Sequence, residues 1–154
     1  MKRFTLSILV LMLIGSCASM KIIGDYNNPE QDAKLNNNSY SKVLLFNKTN
    51  PIAYPMASSI GIEIIIDSMQ APRLFKKQYI ELFIKKGKHI LTLTHWDVFK
   101  FTNNYKIDFE KDSYILELNC SPVGTPYKII NELPKDFYKK YTNRIQEEEI
   151  KEKS

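Results

Sequence analysis

Six short runs of β-branched and aromatic residues between positions 41 and 120 constrain the fold of this chain more than any other feature. Each run has strand length and is bounded by Gly, Pro, Asn or Asp; in order they read SKVLLFNK, SIGIEIIID, QYIELFIKKG, KHILTLTHW, NNYKIDFEK and SYILELNC. In the third run, Ile80, Leu82 and Ile84 alternate with polar or aromatic residues. Alternation with a period of two is typical of antiparallel sheets that have one face in water. The sequence therefore predicts a mainly β fold.

Tight connections are visible between some of these runs. The segment KKGKH places Gly87 where a hairpin needs a residue that tolerates positive φ, and EKDS suits a type I turn. A seventh strand is expected in YKIINEL, after a loop that contains Pro122 and Pro126. Evenly spaced strands joined by hairpins are typical of a sandwich. We therefore expect an antiparallel β-sandwich of about six to seven strands over residues 42–133.

Residues 134–154 have a helical pattern instead. Pro134 is suited to a first helical turn, and Leu133, Phe137, Tyr141 and Ile145 recur every four residues. Favourable Glu–Lys pairs at i,i+4 follow in the segment EEEIKEK. The sequence predicts a C-terminal α-helix, with its first half packed on the sandwich and a polar tail.

The first residues have the layout of an export signal. A basic start is followed by an apolar stretch at positions 4–14, which is well short of the roughly 20 apolar residues that a membrane-spanning helix needs. We expect residues 1–16 to be a signal peptide. Two alternatives stay open for this segment: an ordinary signal peptide in which the following Cys17 has no special role, and an N-terminal segment that is not cleaved and anchors the chain.

The segment Ile14-Gly15-Ser16-Cys17 resembles the lipobox of bacterial lipoproteins. The resemblance implies that the Cys17 sulfur carries a diacylglycerol and that the chain is cut just before it. Each buried CH₂ contributes about 0.8 kcal/mol, so two or three acyl chains hold the protein on a membrane. Residues 17–41, rich in Asn, Asp and Lys, are then a flexible tether. The implied location is the bacterial cell envelope, and Ala18 rather than Asp after the cysteine favours the outer membrane.

A second resemblance concerns the predicted sandwich. The segments IIIDS at 64–68, KKGKH at 85–89 and SYILEL at 113–118 resemble strand and turn motifs of uncharacterised PEGA and transthyretin-like lipoprotein domains. The resemblance implies a β-sandwich in a lipoprotein context and supplies no catalytic residues.

The residues do not form a recognisable catalytic or metal-binding pattern. His89 and His95 are six residues apart on one predicted strand, about 20 Å, which is too far to share one ion. There is neither a G-x-S-x-G segment nor a Gly-rich phosphate loop. Lysines are dispersed among acidic residues, so the net charge of +5 does not indicate nucleic-acid binding. We therefore expect no catalytic residue, metal or cofactor, and a hydrolase is the least favoured alternative.

Cys120 has no partner within the chain if Cys17 is acylated. A cysteine at the end of a strand is commonly a small buried apolar group. The alternatives are an intermolecular disulfide and a reactive thiol.

Aromatic residues suggest where a partner could bind. Trp96, Phe99 and Phe101 crowd one strand end and loop, and Tyr54 lies in the loop NPIAYPMASS. Aromatic side chains are favoured at binding surfaces. The alternatives are that the first three cap the sandwich or lie beneath the C-terminal helix, and that the loop around Tyr54 is a plain crossover. The favoured function is a non-catalytic binding or adaptor module for another envelope protein, with small-ligand or glycan binding as the alternative.

Overall fold

The structure, a computed structural model, describes residues 39–145, which form nine strands and two short helices. The elements are β1 (Tyr40–Asn47), α1 (Pro55–Ile60), β2 (Ile62–Ile66), β3 (Met69–Leu74), β4 (Gln78–Lys85), β5 (Gly87–Trp96), β6 (Lys100–Phe109), β7 (Ser113–Leu118), β8 (Tyr127–Ile130), α2 (Phe137–Lys140) and β9 (Thr142–Asn143).

The strands form two sheets, which confirms the mainly β prediction. One sheet has the order β8-β7-β1-β4-β9 and the other β3-β2-β5-β6. Every pair in the four-stranded sheet is antiparallel, whereas β1 pairs in parallel with β7 and β4 in parallel with β9. The expectation of a purely antiparallel arrangement of six to seven strands is therefore wrong. β1 lies between β4 and β7, which run in opposite directions, so β1 is antiparallel to β4 and parallel to β7.

The two predicted tight connections join different sheets. Gly87 has φ +130°, in the region that favours glycine, but KKGKH links β4 in one sheet to β5 in the other. Likewise, EKDS links β6 to β7 across the two sheets. Because the chain changes sheet at both turns, neither connection is a hairpin between paired strands.

The buried faces of both sheets contribute to one hydrophobic core. Ile80, Leu82 and Ile84 are buried on one face of β4, as their alternation predicts. Leu91 and Leu93 of β5, in the other sheet, belong to the same buried cluster. Fully burying an aliphatic side chain of this size contributes about 1.5–3 kcal/mol, so this shared core joins the two sheets.

The C-terminal segment covers the outer face of the five-stranded sheet. The outward-facing Phe46 of β1 makes edge contacts with the rings of Phe137 and Tyr141, each with centroids 5.2 Å apart. Leu133 packs in the same cluster. The helical periodicity therefore identified the side chains that pack.

The continuous C-terminal helix predicted from Pro134 onward is wrong for the described residues. Asp136 has φ +59°, the helix spans only Phe137–Lys140, and Tyr141 is extended. The next two residues pair with the start of β4. The free backbone groups of that sheet edge thus compete successfully with a helix, in a segment where Thr142 and Asn143 have low helix propensity. Residues 146–154 lie outside the described part of the chain.

The two ends of the sheets differ in their connections. At one end β1 begins, and β4 and β6 lead into the next strands; we call this the N-terminal end. At the other end lie residues 48–54 with α1, the β5–β6 turn at 97–99, and residues 119–126. We call this the loop end, because strands β1 and β7 both finish there and β5 turns into β6.

Candidate functional site

Exposed apolar side chains are concentrated at the loop end. Six of the ten large apolar side chains that are exposed in the described chain lie there, and we call them the apolar loop surface: Ile52, Met56, Trp96, Val98, Phe99 and Val123. Single exposed apolar residues are ordinary, but a concentration of them at one place marks an interaction site. This surface is therefore the candidate functional site.

The structure separates the aromatic residues that the sequence brought together. Trp96 is 41% exposed and Phe99 70% exposed. Phe101 is opposite His95 in the β5–β6 register, and the two rings stack with centroids 5.1 Å apart. Because side chains alternate between faces along a strand, Phe101 points away from the face that carries Trp96. Trp96, Phe99 and Phe101 therefore do not form one exposed platform.

The other predicted positions are also accounted for. Tyr54 is partly buried and packs against the main core just before α1. The ammonium group of Lys100 lies 5.6 Å from the centre of the Trp96 ring, so one face of the indole already has a cationic neighbour. Cys17 lies outside the described residues.

His95 is fully buried beneath the loop end. Its Nδ1 is 2.7 Å from the hydroxyl oxygen of Thr125, and its Nε2 has no hydrogen-bond partner among residues 39–145. Burial lowers the pKa of His95, while the Asp97 carboxylate acts in the opposite direction. The imidazole is therefore neutral at pH 7, and its contact with Thr125 fixes residues 119–126 to β5.

Two further contacts hold this loop against β6. The backbone N–H of Thr125 donates to the amide oxygen of Asn103 at 2.7 Å, and the Tyr105 hydroxyl donates to the Thr125 carbonyl at 3.0 Å. Gly124 has φ +150°, and a Cβ built there would overlap the Asn103 amide. Any larger residue at this position would have to displace the Asn103 amide, and the positive φ also favours glycine.

A buried pair connects residues 48–54 to the same loop. The backbone N–H of Cys120 donates to the Thr49 hydroxyl at 3.2 Å, and that hydroxyl lies 3.3 Å from the Cys120 sulfur. Burial raises the pKa of the Cys120 thiol, and the Thr49 hydroxyl opposes the rise. A buried, protonated thiol is a poor nucleophile and a poor partner for an intermolecular disulfide.

These contacts give the candidate site its main physical property. Residues 48–54 and 119–126 are connected through buried polar groups to each other or to a strand, and the turn at 97–99 directly joins the paired strands β5 and β6. Surfaces whose loops are already ordered lose less conformational entropy when they bind. The loop end therefore presents its apolar side chains from a fixed backbone.

Four members of the apolar loop surface were not named individually from the sequence, and of these only Val123 lies outside the two candidate segments 50–59 and 95–105; the four are Ile52, Met56, Val98 and Val123. A signal for two of them is present. The segments PIAYP at 51–55 and PVGTP at 122–126 share the pattern Pro, aliphatic, small, any residue, Pro, and each follows one of the two parallel neighbours β1 and β7. Proline has no backbone N–H to donate to a strand ladder, so prolines on both sides disfavour a regular strand and favour a loop for the aliphatic residue between them.

The two histidines lie on one face of β5 at its opposite ends, as predicted. His89 contacts the Asp67 carboxylate at the N-terminal end. Burial raises the pKa of Asp67, but the Ile90 N–H and His89 outweigh this effect and lower it overall. Within the described chain, no three His, Cys, Asp or Glu side chains are grouped so that they could hold a metal ion.

No protein-family model matches this chain, and neither a curated protein nor a solved structure is significantly similar to it. Across residues 39–145, the helices are all too short or too polar to span a membrane.

Proposed function

We propose that this chain is a lipid-anchored protein of the bacterial cell envelope whose β domain binds another envelope protein through the apolar loop surface. The anchor is the acylated Cys17, and Ala18 favours retention in the outer membrane. The activity is binding and adaptation, without catalysis.

The position of the apolar loop surface is the observation that carries this proposal. Ser39, which the predicted tether reaches, is at the N-terminal end, and its carbonyl accepts from the N–H of Lys86 there. The eight residues of β1 separate the two ends by about 26 Å. Residues 17–38 add a reach of about 75 Å when fully extended. Attachment to the membrane would therefore leave the apolar loop surface free for a partner.

The proposal includes the finer description of the fold as a β-sandwich of the PEGA and transthyretin-like kind. Two sheets that bury their inner faces in one cluster support a sandwich. If this description holds, domains of that kind should also have a parallel strand pair equivalent to β1–β7.

Binding is favoured over chemistry because the reactive groups at the loop end serve as structural contacts. His95 is neutral and bonded to Thr125, and the Cys120 thiol is protonated and bonded to Thr49. Neither group is available as a base or nucleophile without moving the loops. Glycan binding is less favoured, because Lys100 occupies one face of the Trp96 ring on which a sugar could stack.

The lipid anchor is tested by comparing the native chain with Cys17→Ser. We expect the native protein to fractionate with membranes and to carry the mass of its acyl chains, as measured by intact-protein mass spectrometry. The variant should be released or remain uncut. Equal membrane retention and equal mobility of the two proteins would contradict lipidation at Cys17.

The binding surface is tested by photo-crosslinking in envelope membranes. A photoreactive amino acid at Phe99 or at Val123 should give an adduct with the same envelope protein. The matched control is the same probe at Ile90, which is also exposed but lies near the N-terminal end of β5. Adducts of equal yield from all three positions, or from none, would contradict recognition through the loop end.

A further inference from the structure

The four sheet edges of the described chain differ in how well they are protected. The five-stranded sheet ends in β8, with four residues, and β9, with two. In the other sheet, β3 carries Pro72, is paired irregularly with β2, and its Arg73 carbonyl accepts from Arg144 Nε. Short strands, proline and irregular pairing are the usual means of protecting an edge.

β6 has neither short length, proline nor irregular pairing, although it carries Lys100 and Lys106 and its Asp108 carbonyl accepts from the Tyr114 hydroxyl at 3.1 Å. It has ten residues without proline or glycine, and it pairs through one side only, with β5. Its odd-numbered side chains face the core side and its even-numbered side chains face outward. A long regular edge of this kind is a template for pairing with another strand.

The charges on β6 are self-complementary in one antiparallel register. When Asn104 of one copy faces Asn104 of another, Lys100 faces Asp108 twice, once in each direction. A shift by two residues toward the start of the strand places Lys100 opposite Lys106 instead, and a shift by two toward its end places Asp108 opposite Thr102 and Lys100 opposite Glu110, which follows the strand. A shift by one residue is excluded because it would turn the outward face toward the core.

Asp108 supports the same register independently. One of its carboxylate oxygens, Oδ1, is buried and has no hydrogen-bond partner among the described residues. Lys88 is opposite it on β5, but the two are not joined by an ion pair. A lysine from a second β6 would place a counter-charge beside this carboxyl group, which is only partly buried as a whole.

We propose that two copies of this chain associate through β6, in antiparallel register about Asn104, so that two four-stranded sheets become one eight-stranded sheet. The interface is isologous, as in most homodimers. The proposal stands without the lipid anchor or the envelope partner. The twofold axis passes between the strands, so the two loop ends point in opposite directions.

The test is disulfide trapping of the full-length chain in the cells that make it. Cysteines at Asn104 would face each other with Cβ atoms about 5 Å apart, close enough for a disulfide after a small adjustment. Thr102→Cys is the matched control, on the same face of β6. Each replaced side chain bonds one threonine of β5, either Thr92 or Thr94. In the proposed register the two control cysteines would be about 13 Å apart.

After mild oxidation, we expect Asn104→Cys to give a covalent dimer that Thr102→Cys and the unaltered chain do not give. The unaltered chain accounts for any contribution of Cys17 and Cys120. The same amount of dimer from both variants, or none from Asn104→Cys, would overturn the proposal.

A charge exchange tests the register separately. In the Asn104→Cys protein, Lys100→Asp places two carboxylates opposite each other at both ends of the interface and should reduce trapping by about tenfold. Adding Asp108→Lys restores opposite charges and should restore trapping. A dimer yield that is unaffected by Lys100→Asp, or that the second change does not recover, would overturn the register.

Discussion

Replacing Gly124 by alanine tests whether the loop end is fixed in the way that the candidate site requires. Gly124 and Gly87 both have φ in the region that L-residues rarely adopt, so an alanine at either position carries backbone strain of about 1–3 kcal/mol. They differ in space: a Cβ at Gly87 meets no atom within 4 Å, whereas at Gly124 it overlaps the Asn103 amide. Gly87→Ala is therefore the matched control for strain alone.

The additional cost at Gly124 follows from the contact that must give way. Moving Asn103 removes the acceptor of the buried Thr125 N–H, and a buried donor left unsatisfied costs about 1–3 kcal/mol. We expect Gly124→Ala to lower the free energy of unfolding by about 1–3 kcal/mol more than Gly87→Ala. Urea unfolding followed by far-ultraviolet circular dichroism measures both values. Equal losses in the two variants would refute the claim that Asn103 fixes residues 119–126.

Three other outcomes are expected. Burial lowers the pKa of His95, so the unfolded chain binds the proton first as the pH falls, and the free energy of unfolding should decrease below about pH 6.5. His95→Gln should make the free energy of unfolding less dependent on pH in this range, as measured by urea unfolding at several pH values. Phe137→Ala should cost about 3–5 kcal/mol, whereas Tyr138→Ala, one residue along on the exposed side of the same helix, should cost much less in the same assay. Cys120 should react with a thiol reagent only in denaturant, and rapid labelling of the folded protein would show that the Thr49–Cys120 contact opens.

The strands were largely predictable because each has a local signal. The seven runs identified from the sequence all contain strands, and the alternation in β4 and β6 matches the buried side chains. Period-two alternation records which side of a strand faces a core, and that is a property of a few neighbouring residues. Alternation can therefore be recognised in the sequence without knowing which strands pair with each other.

The elements that were missed lack such a signal. β3 contains Pro72 and Arg73 and has no clean alternation, and α1 has only six residues. β3 is stabilised by pairing with the preceding strand β2 across the turn at Asp67 and Ser68, and α1 buries Ala57 in the main core. β9 exists because the β4 edge is available to it, a fact that no residue within β9 encodes. Tertiary contacts decide such segments, and intrinsic propensity does not.

The connectivity of the sheets was the largest difference. A glycine with positive φ at position 87 was predicted and is present, but the turn passes between sheets. Local turn chemistry fixes the backbone angles of a turn and leaves open which strand the chain pairs with next. The same limit explains why Phe101 was grouped with Trp96: closeness in sequence suggested one platform, whereas the β5–β6 register assigns them to opposite faces.

The loop end combines two arrangements that a fold selected for stability alone would not retain. His95 is buried with Nε2 unpartnered in the described chain, an arrangement that costs free energy relative to an apolar ring of the same shape. Around it, Trp96, Val98 and Phe99 are exposed to water. An apolar residue at position 95 could still stack on Phe101, but it could not bond Thr125 and so would not hold residues 119–126 in place. The proposed binding function would account for both the polar interior and the apolar exterior of this end, because it requires a loop surface held in a fixed shape.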